Sequence, residues 1–353
     1  MSSVFGELLR HPVVQAPMAG GASCPELAAA VSEAGGLGFL AGGYKSAEAV
    51  RDEARRTREL TGRPFGVNLF LPQPEADADA VDAYADGLAG ESARYGAPLG
   101  GLPDGALDDF FDAKVAVLLA EPVAVVSFTF GCPSRDVLDA FQRVGTLTVV
   151  TVTTPEEARA AQWVGADALC VQGVEAGGHQ GTHLDDPATD GCGLGLLSLL
   201  EQVRHTVPLP FLAAGGLMRG TQIAAVLAAG AEAAQLGTAF LPCPESGAHP
   251  VHKTALTSPH FTRTTLTRAF SGRPARGLVN RFVRAHSAEA PAAYPRVHHL
   301  TAGLRRAAAG AGDADGMALW AGQGHRLART LAAGRLVETL AAETRAALTP
   351  LTR

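Results

Sequence analysis

The feature that most constrains the fold of this 353-residue chain is one pattern that occurs eight times. In each occurrence a short apolar run, typical of a buried strand, is separated from the next run by a stretch with helical spacing. Strands that alternate with helices predict a parallel sheet with right-handed crossovers. The predicted strands cover residues 13–16, 38–41, 65–70, 123–128, 147–152, 168–172, 211–214 and 233–236.

Three joints between a helix and the following strand are alike in sequence. AVSEAGGLGFLAG, AAQWVGADALCVQG and AVLAAGAEAAQLG each contain a helix end, a glycine stop, a short strand and a further glycine. Equivalent units around one core, eight of them in about 225 residues, predict an α/β (β/α)8 TIM barrel. A doubly wound open sheet is the alternative, but it would want a GxGxxG motif after the first strand, and PMAGGAS does not match. Before the first helix, Ser23 and Glu26 have the spacing of a capping box.

Two segments lie outside the repeat. Residues 75–120 are rich in Ala and Asp at helical spacing, which predicts a helical insertion after the third strand. Residues 248–346 are mostly helical in pattern and rich in Ala and Arg, and we expect these helices to pack over the barrel mouth. The expected organisation is a barrel over residues 1–247 and a C-terminal helical segment over residues 248–353, in one compact unit.

Composition and charge exclude several classes of protein. The formal net charge is −6 and no run of basic residues occurs, so nucleic-acid binding is not expected. The arginine pair Arg305–Arg306 is expected to lie on a solvated helix face. Five cysteines, an odd number without a CxxC pair, argue against a disulfide framework or a zinc site and favour a cytoplasmic protein. No signal-peptide pattern opens the chain, and the most apolar stretch is broken by Glu121 and Pro122, so no membrane span is expected.

The loops after the seventh and eighth strands, GGLMRG and GTAF, predict a phosphate site. In a (β/α)8 barrel the loops at the carboxyl ends of the strands form the active site, and these two often bind phosphate. Gly215, Gly216 and Gly220 let the backbone approach an oxyanion, while Gly237 and Thr238 offer an N–H group and a hydroxyl. Tight turns could account for each loop alone, but the two together favour phosphate.

Two amides at strand ends are compatible with a flavin ring. Asn68 and Gln172 end the third and sixth strands, and an amide can both donate and accept hydrogen bonds. A flavin has such a donor–acceptor edge. Either amide could instead cap its own layer of the barrel.

The stretch QGVEAGGHQGTH places four glycines around His179. We interpret the glycines as leaving room for a flat ligand, with His179 in the barrel mouth as a base or an anion-stabilising group. A histidine bonded to its own loop is the alternative. His183 is less constrained, Glu175 is expected to brace the loop, and no third ligand completes a metal site. Cys132 is expected to be a small buried residue rather than a nucleophile.

Several motifs resemble the nitronate monooxygenases, formerly called 2-nitropropane dioxygenases, and in particular their bacterial class. They are VVQAPMAGG, PFGVNLF, VVSFTFGCPS, VQGVEAGGHQG, LAAGG, QLGTAF and TRAFSGRPARGLVNRF, with YPRVHHLTAGLRRAA and LWAGQG further on. The resemblance runs from near residue 12 to near residue 325. It implies a TIM barrel that holds FMN non-covalently.

By motif position, the resemblance implies that His179 is the catalytic histidine. Tyr294 and His298, in the late segment that would close the mouth, are candidates for contact with the substrate, or else they pack helices. The implied flavin-binding residues are Ala16, Pro17, Met18, Asn68, Gln172, Gly177, Gly178, Gly215, Gly216, Gln235, Leu236, Gly237 and Thr238. No metal is implied.

The resemblance implies that O2 oxidises an alkyl nitronate, such as propionate 3-nitronate, to a carbonyl compound and nitrite through a flavin semiquinone. His179 would hold the nitronate oxygens, or act as base toward a neutral nitroalkane. The expected partners are the small nitro compound and O2, with neither nucleic acid nor membrane, and the chain is expected to be a monomer or homodimer. Two departures concern the substrate pocket: the family usually has a bulkier residue at Cys132, and the pair His298–His299 makes its segment more basic.

Two alternatives stay open. FMN-dependent enoyl-thioester reductases share the barrel and a very similar EAGGH loop, but they need NAD(P)H. A barrel that binds a phosphorylated metabolite without redox chemistry, as a lyase or a binding protein, is the second alternative.

Overall fold

The computed structural model describes residues 4–103 and 107–349. The predicted barrel, insertion and C-terminal segment also include residues 1–3, 104–106 and 350–353, and those parts of the predictions lie outside the described residues.

Eight parallel strands form a barrel, so the predicted (β/α)8 fold is confirmed. Neighbouring strands follow the order β1, β9, β8, β6, β5, β4, β3, β2. The ring closes beside β2, where the Leu37 N–H donates to Val13 and the Gln15 N–H donates to Leu37. The barrel strands are β1 (Val13–Gln15), β2 (Gly38–Ala41), β3 (Phe65–Phe70), β4 (Val125–Thr129), β5 (Leu147–Val152), β6 (Ala168–Gln172), β8 (Phe211–Ala214) and β9 (Ala233–Leu236), and the short β7 (Gly178–His179) lies outside the barrel.

Most residues of the barrel strands are apolar, because both faces of the barrel wall are covered. Phe39 and Val149 pack in the inner core, whereas the adjacent Leu40 and Val150 pack under the surrounding helices. Phe5 joins the inner core, and its N–H donates to the Glu232 carboxylate just before β9. The interior is therefore a packed core, which leaves the carboxyl ends of the strands for a ligand.

Helices surround the barrel, and two more extend the connection between β3 and β4. α5 packs against α2, α6 and β3 as part of the outer layer, whereas α3 and α4 contact the C-terminal segment. The helices up to β9 are α1 (Pro25–Glu33), α2 (Ala47–Leu60), α3 (Ala78–Gly87), α4 (Ala89–Tyr95), α5 (Phe111–Ala120), α6 (Arg135–Arg143), α7 (Pro155–Val164), α8 (Leu196–Thr206) and α9 (Gly220–Ala228).

The C-terminal segment contains α10 (Pro250–Thr257), α11 (Arg281–His286), α12 (Arg296–Gly310) and α13 (Ala333–Leu348). It also contains β10 (Thr264–Thr267) and β11 (Ala275–Leu278), an antiparallel pair that β7 extends to three strands. This small sheet differs from the mostly helical pattern expected. α13 packs against α9 and α1 and so occupies the place of the eighth outer helix. Within the described residues, no helix has both the length and the apolar character that crossing a membrane requires.

Candidate active site

A cavity of about 530 Å³ opens at the carboxyl ends of the barrel strands. Every predicted flavin-binding residue borders it, as do His179 and His298. Tyr294 lies behind this surface, with its ring centroid 5.7 Å from that of His179. None of the described residues that border the cavity is Asp or Glu, although the whole chain is acidic. The cavity is therefore suited to an anionic ligand.

Unpaired backbone N–H groups come together from the loops after β8 and β9. Those of Gly216, Leu217, Gly237 and Thr238 have no acceptor among the described residues. Gly216 has φ +65°, a conformation that a residue with a Cβ rarely adopts. The Thr238 hydroxyl accepts from the Gly322 N–H at 3.0 Å and keeps its own hydrogen for a further acceptor. Clustered N–H donors of this kind fit a phosphate group.

Asn68 keeps an open acceptor, whereas both the oxygen and the nitrogen of the Gln172 amide bond to its own loop. The Asn68 Nδ2 donates to Ser127 Oγ at 2.9 Å and to Thr129 Oγ1 at 3.0 Å, and its Oδ1 has no partner among the described residues. The Gln172 Oε1 accepts from the Gly181 N–H at 2.7 Å, and its Nε2 donates to the His179 carbonyl at 3.2 Å. Asn68 can thus accept from a flavin ring, and Gln172 shapes the histidine loop.

The predicted capping box at Ser23 and Glu26 is wrong. The N-cap of α1 is Cys24, which makes no side-chain cap bond. The Ser23 Oγ instead accepts from the Met18 N–H at 2.8 Å and from Gln15 Nε2 at 2.9 Å. The hydroxyl is therefore used to hold the loop after β1, which borders the cavity.

His179 borders the cavity and is held by one of its two ring nitrogens. Its Nε2 lies 2.9 Å from the Ser271 Oγ, and its Nδ1 has no partner among the described residues. The rings of Phe130, Tyr294 and Trp320 surround it, each 5.7 Å away between centroids. Burial, and then the guanidinium of Arg273, lower the pKa of His179 to about 3, so the imidazole is neutral near pH 7.

Most glycines beside His179 serve the protein's own packing. A Cβ on Gly177 would lie 2.4 Å from the Gly322 nitrogen, and one on Gly181 would lie 2.7 Å from Thr151 Cγ2. Gly178, with φ +74°, borders the cavity and has no atom within 4 Å of an added Cβ. Only Gly178 fits the interpretation that the glycines leave room for a ligand.

Comparison with known proteins identifies the family. Residues 2–343 match the sequence profile described as nitronate monooxygenase. The chain belongs to the nitronate monooxygenase family. A nitronate monooxygenase of Pseudomonas aeruginosa is 44 % identical over 355 residues, which cover 98 % of this chain and 100 % of that protein. A probable nitronate monooxygenase of Bacillus subtilis is 36 % identical, with 90 % and 91 % covered.

Solved structures extend the comparison. A nitroalkane oxidase from Streptomyces ansochromogenes is 66 % identical with a TM-score of 0.97, and the match covers 99 % of this chain and 100 % of that one. FabK from Thermotoga maritima is 29 % identical with a TM-score of 0.77, covering 99 % and 97 %. As a nitronate monooxygenase family member, the chain is an oxidoreductase of a flavin-dependent family.

In this nitronate monooxygenase family member, His183 and Cys132 lie beside each other outside the cavity surface. The His183 Nε2 donates to the Thr151 carbonyl at 2.9 Å, so Nδ1 is the acceptor that faces Cys132 Sγ at 3.8 Å. Burial, and then Glu157, raise the pKa of the Cys132 thiol to about 11. The family departure at Cys132 therefore does not change the cavity wall. Glu175 braces the loop by accepting from the Leu196 N–H at 2.9 Å and 3.1 Å.

Sequence reasoning missed several residues beside the cavity. Arg273 is fully buried, with its guanidinium carbon 4.1 Å from the Phe130 ring centroid, and it donates to Gln73 Oε1 at 2.6 Å. Like Ser271 it lies in the SGRPARG motif, which served only as a family signature. Two further residues border the cavity itself. Tyr44 lies in no motif that the sequence singled out, and the prediction that Arg305 lies on a solvated helix face is wrong.

Proposed function

We propose that the protein oxidises alkyl nitronates, such as propionate 3-nitronate, to a carbonyl compound and nitrite, with FMN as cofactor and O2 as oxidant. The family and the 66 % identical nitroalkane oxidase support oxidation of nitro compounds. The observation that carries the proposal is a neutral His179 in a cavity that has clustered N–H donors and no described acidic side chain. The cytoplasmic location and the monomer or homodimer stay predictions.

The residues present fit FMN. The N–H groups of Gly216, Leu217, Gly237 and Thr238 would hold its phosphate, and Asn68 Oδ1 would accept from the ring. The loop after β1, which Ser23 fixes through the Met18 N–H, would form another wall of the site. Electron transfer from the nitronate and onward to O2 is the chemistry that FMN supplies when bound.

Two tautomers of His179 suit the two forms of the substrate. The Ser271 hydroxyl lies 2.9 Å from His179 Nε2 and 3.2 Å from the Arg273 carbonyl, so it can donate to either. When it donates to Nε2, the His179 Nδ1–H is free to donate to a nitronate oxygen. When it accepts from Nε2–H, Nδ1 carries a lone pair that can remove the α-proton of a nitroalkane.

The electrostatics favour the anionic form of the substrate. Proton removal from a neutral nitroalkane would create an imidazolium beside Arg273 and Arg305 in a buried site, which the low pKa of His179 opposes. A nitronate is already an anion, and the same two guanidinium groups attract it. We therefore expect a preformed nitronate to react with a much higher kcat/KM than the parent nitroalkane.

The test starts with the visible spectrum of the purified protein and the identity of the released flavin. Propionate 3-nitronate is then added without O2, and one-electron reduction of the flavin is expected; readmitting O2 should release nitrite. The substitution His179→Asn should remove most of the activity but retain the flavin, whereas the exposed His205→Asn is the matched control.

Three outcomes would refute the proposal. A colourless protein that binds phosphate esters would support a barrel without redox chemistry. A flavoprotein that ignores nitronates but is bleached by NADH would support an enoyl-thioester reductase. Release of FAD rather than FMN would overturn the cofactor assignment.

A further inference from the structure

The cavity contains a second group of hydrogen-bond donors, around Arg305 on α12. The Arg305 Nε donates to Thr301 Oγ1 at 3.1 Å, and its Nη2 donates to the His298 carbonyl at 2.7 Å. Its Nη1 has no partner among the described residues, and no described carboxylate lies within ion-pair distance. Arg305 therefore presents an unpaired cationic donor to the cavity.

Tyr44 provides the wall beside this guanidinium. Its ring stacks on His298, with centroids 3.8 Å apart and planes 7° apart. The Tyr44 hydroxyl is buried, lies beside the Tyr294 phenol and forms no well-aligned hydrogen bond with the described residues. Burial raises the pKa of Tyr44, so this hydroxyl remains a donor near neutral pH.

The backbone of Tyr44 is held in a conformation that a tyrosine rarely adopts. Its φ is +67°, in the left-handed region. The Asp109 carboxylate accepts from the Tyr44 N–H at 2.8 Å, and the buried Lys114 ammonium lies 2.7 Å from the same carboxylate. The ion pair stabilises strained backbone at the cavity wall, which indicates that Tyr44 is held in this position for binding.

This group of donors lies on the His179 side of the cavity. The Tyr294 ring is 6.4 Å from the Tyr44 ring and 5.7 Å from the His179 ring, between centroids. Arg305 is also near enough to contribute to the low pKa of His179. The phosphate donors come from other loops, those after β8 and β9. A molecule reacting at His179 could therefore reach Arg305 with its far end.

The energetics favour an anion at Arg305. Burial lowers the pKa of Arg305 to about 10, which means that the charged guanidinium is poorly solvated. A charge that is buried without an opposite charge nearby is costly, and an anion that binds there offsets the cost. A planar carboxylate matches the geometry of guanidinium N–H groups, and a phenolic O–H can donate to its second oxygen.

We propose that Arg305 and the Tyr44 hydroxyl bind a carboxylate at the far end of the substrate, and so select short nitronates with a terminal carboxylate over plain alkyl nitronates. The proposal rests on the proposed function and names the residues that determine its substrate preference. The nitronate end would lie at His179 and the carboxylate end at Arg305.

The test compares propionate 3-nitronate with 3-methylbutyl nitronate, in which an isopropyl group replaces the carboxylate. Arg305→Met should lower kcat/KM for the carboxylated nitronate roughly 10- to 100-fold, as expected for loss of a charged hydrogen bond, and that for the alkyl nitronate less than about threefold. The kcat/KM of Arg305→Lys for the carboxylated nitronate should lie between those of the unsubstituted protein and Arg305→Met. Tyr44→Phe should lower kcat/KM only for the carboxylated nitronate. Arg284→Met, at an exposed position on α11 that does not border the cavity, should affect both nitronates weakly and equally.

A binding measurement keeps the test independent of turnover. The holoenzyme is titrated with 3-nitropropionate without O2, following the visible spectrum of the bound flavin, and Arg305→Met should weaken the dissociation constant by a similar factor. Equal losses for the two nitronates, no loss for either, or loss of flavin from Arg305→Met would each overturn the proposal. If the unsubstituted protein oxidises neither nitronate, the proposed function fails, whereas the titration still tests carboxylate binding at Arg305. If Arg305→Met does not fold, Arg305→Lys and Tyr44→Phe provide the same comparison.

Discussion

The partly buried, neutral His179 should make the folded protein sensitive to acid. Burial lowers its pKa from 6.5 to about 3 in the folded state, whereas the unfolded chain keeps the ordinary value. Between these two pKa values the unfolded chain binds the proton and the folded protein does not, so the free energy of unfolding falls as the pH falls below 6.5. At about pH 5 the loss is about 2 kcal/mol, since each pH unit below 6.5 costs about 1.4 kcal/mol.

The substitution His179→Gln isolates this effect, because glutamine cannot be protonated and can still bond to Ser271. The free energy of unfolding is measured by urea titration at about pH 7.5 and about pH 5 with a fixed FMN concentration, followed by tryptophan fluorescence. The variant should lose about 2 kcal/mol less than the unsubstituted protein between the two pH values. His205→Gln, at an exposed position on α8, should lose as much free energy of unfolding between the two pH values as the unsubstituted protein. An equal loss in the His179 variant and the unsubstituted protein would refute the reasoning.

Three further changes test the fold and the cofactor site. Gly38→Ala would place a Cβ 2.1 Å from the Ala28 carbonyl oxygen, and it should lower the free energy of unfolding by about 3 kcal/mol; an unchanged urea midpoint would contradict the observed contact of β2 with α1. Leu340→Ala removes a fully buried side chain of α13 and should lower the free energy of unfolding by about 2–5 kcal/mol. An unchanged urea midpoint would show that the barrel is stable without the packing of α13. Gly216→Val conflicts with the positive φ and should weaken FMN binding roughly tenfold in a fluorescence titration; unchanged affinity would contradict the phosphate site.

The barrel could be predicted from the sequence because its signals are local. A strand covered on both faces is a short apolar run, and a glycine such as Gly165, which has φ +94°, marks the helix end before it. β10 and β11 carry no such signal, since TTLT contains a single apolar residue and ARGL contains a charged one. Their pairing with β7 depends on contacts between segments far apart in the chain.

The residues of the candidate site also divide into those that the sequence could predict and those that it could not. Residues that follow barrel strands, such as Asn68 and His179, could be placed at one end of the barrel because parallel strands end together. Tyr44 follows β2 and could have been found by the same rule, but only the loops with conspicuous motifs were considered. Arg305 lies on α12, and only the packing of that helix over the mouth brings it to the cavity. No local pattern distinguishes this arginine from one on a solvated helix face.

The part of the C-terminal segment before α13 separates substrate selection from cofactor binding. Closure of the outer layer requires α13 to pack on α1 and α9, and it places no demand on residues 248–332. Those residues include Arg305 and Trp320, which border the cavity, whereas the loops after β8 and β9 supply the N–H groups for phosphate. If the two roles are separable, Arg305→Met should change the ratio of the two nitronates and keep FMN. Gly216→Val should then weaken FMN binding and keep that ratio at saturating FMN, and a variant that changed both properties would show that the α12 wall and the phosphate loops act as one unit.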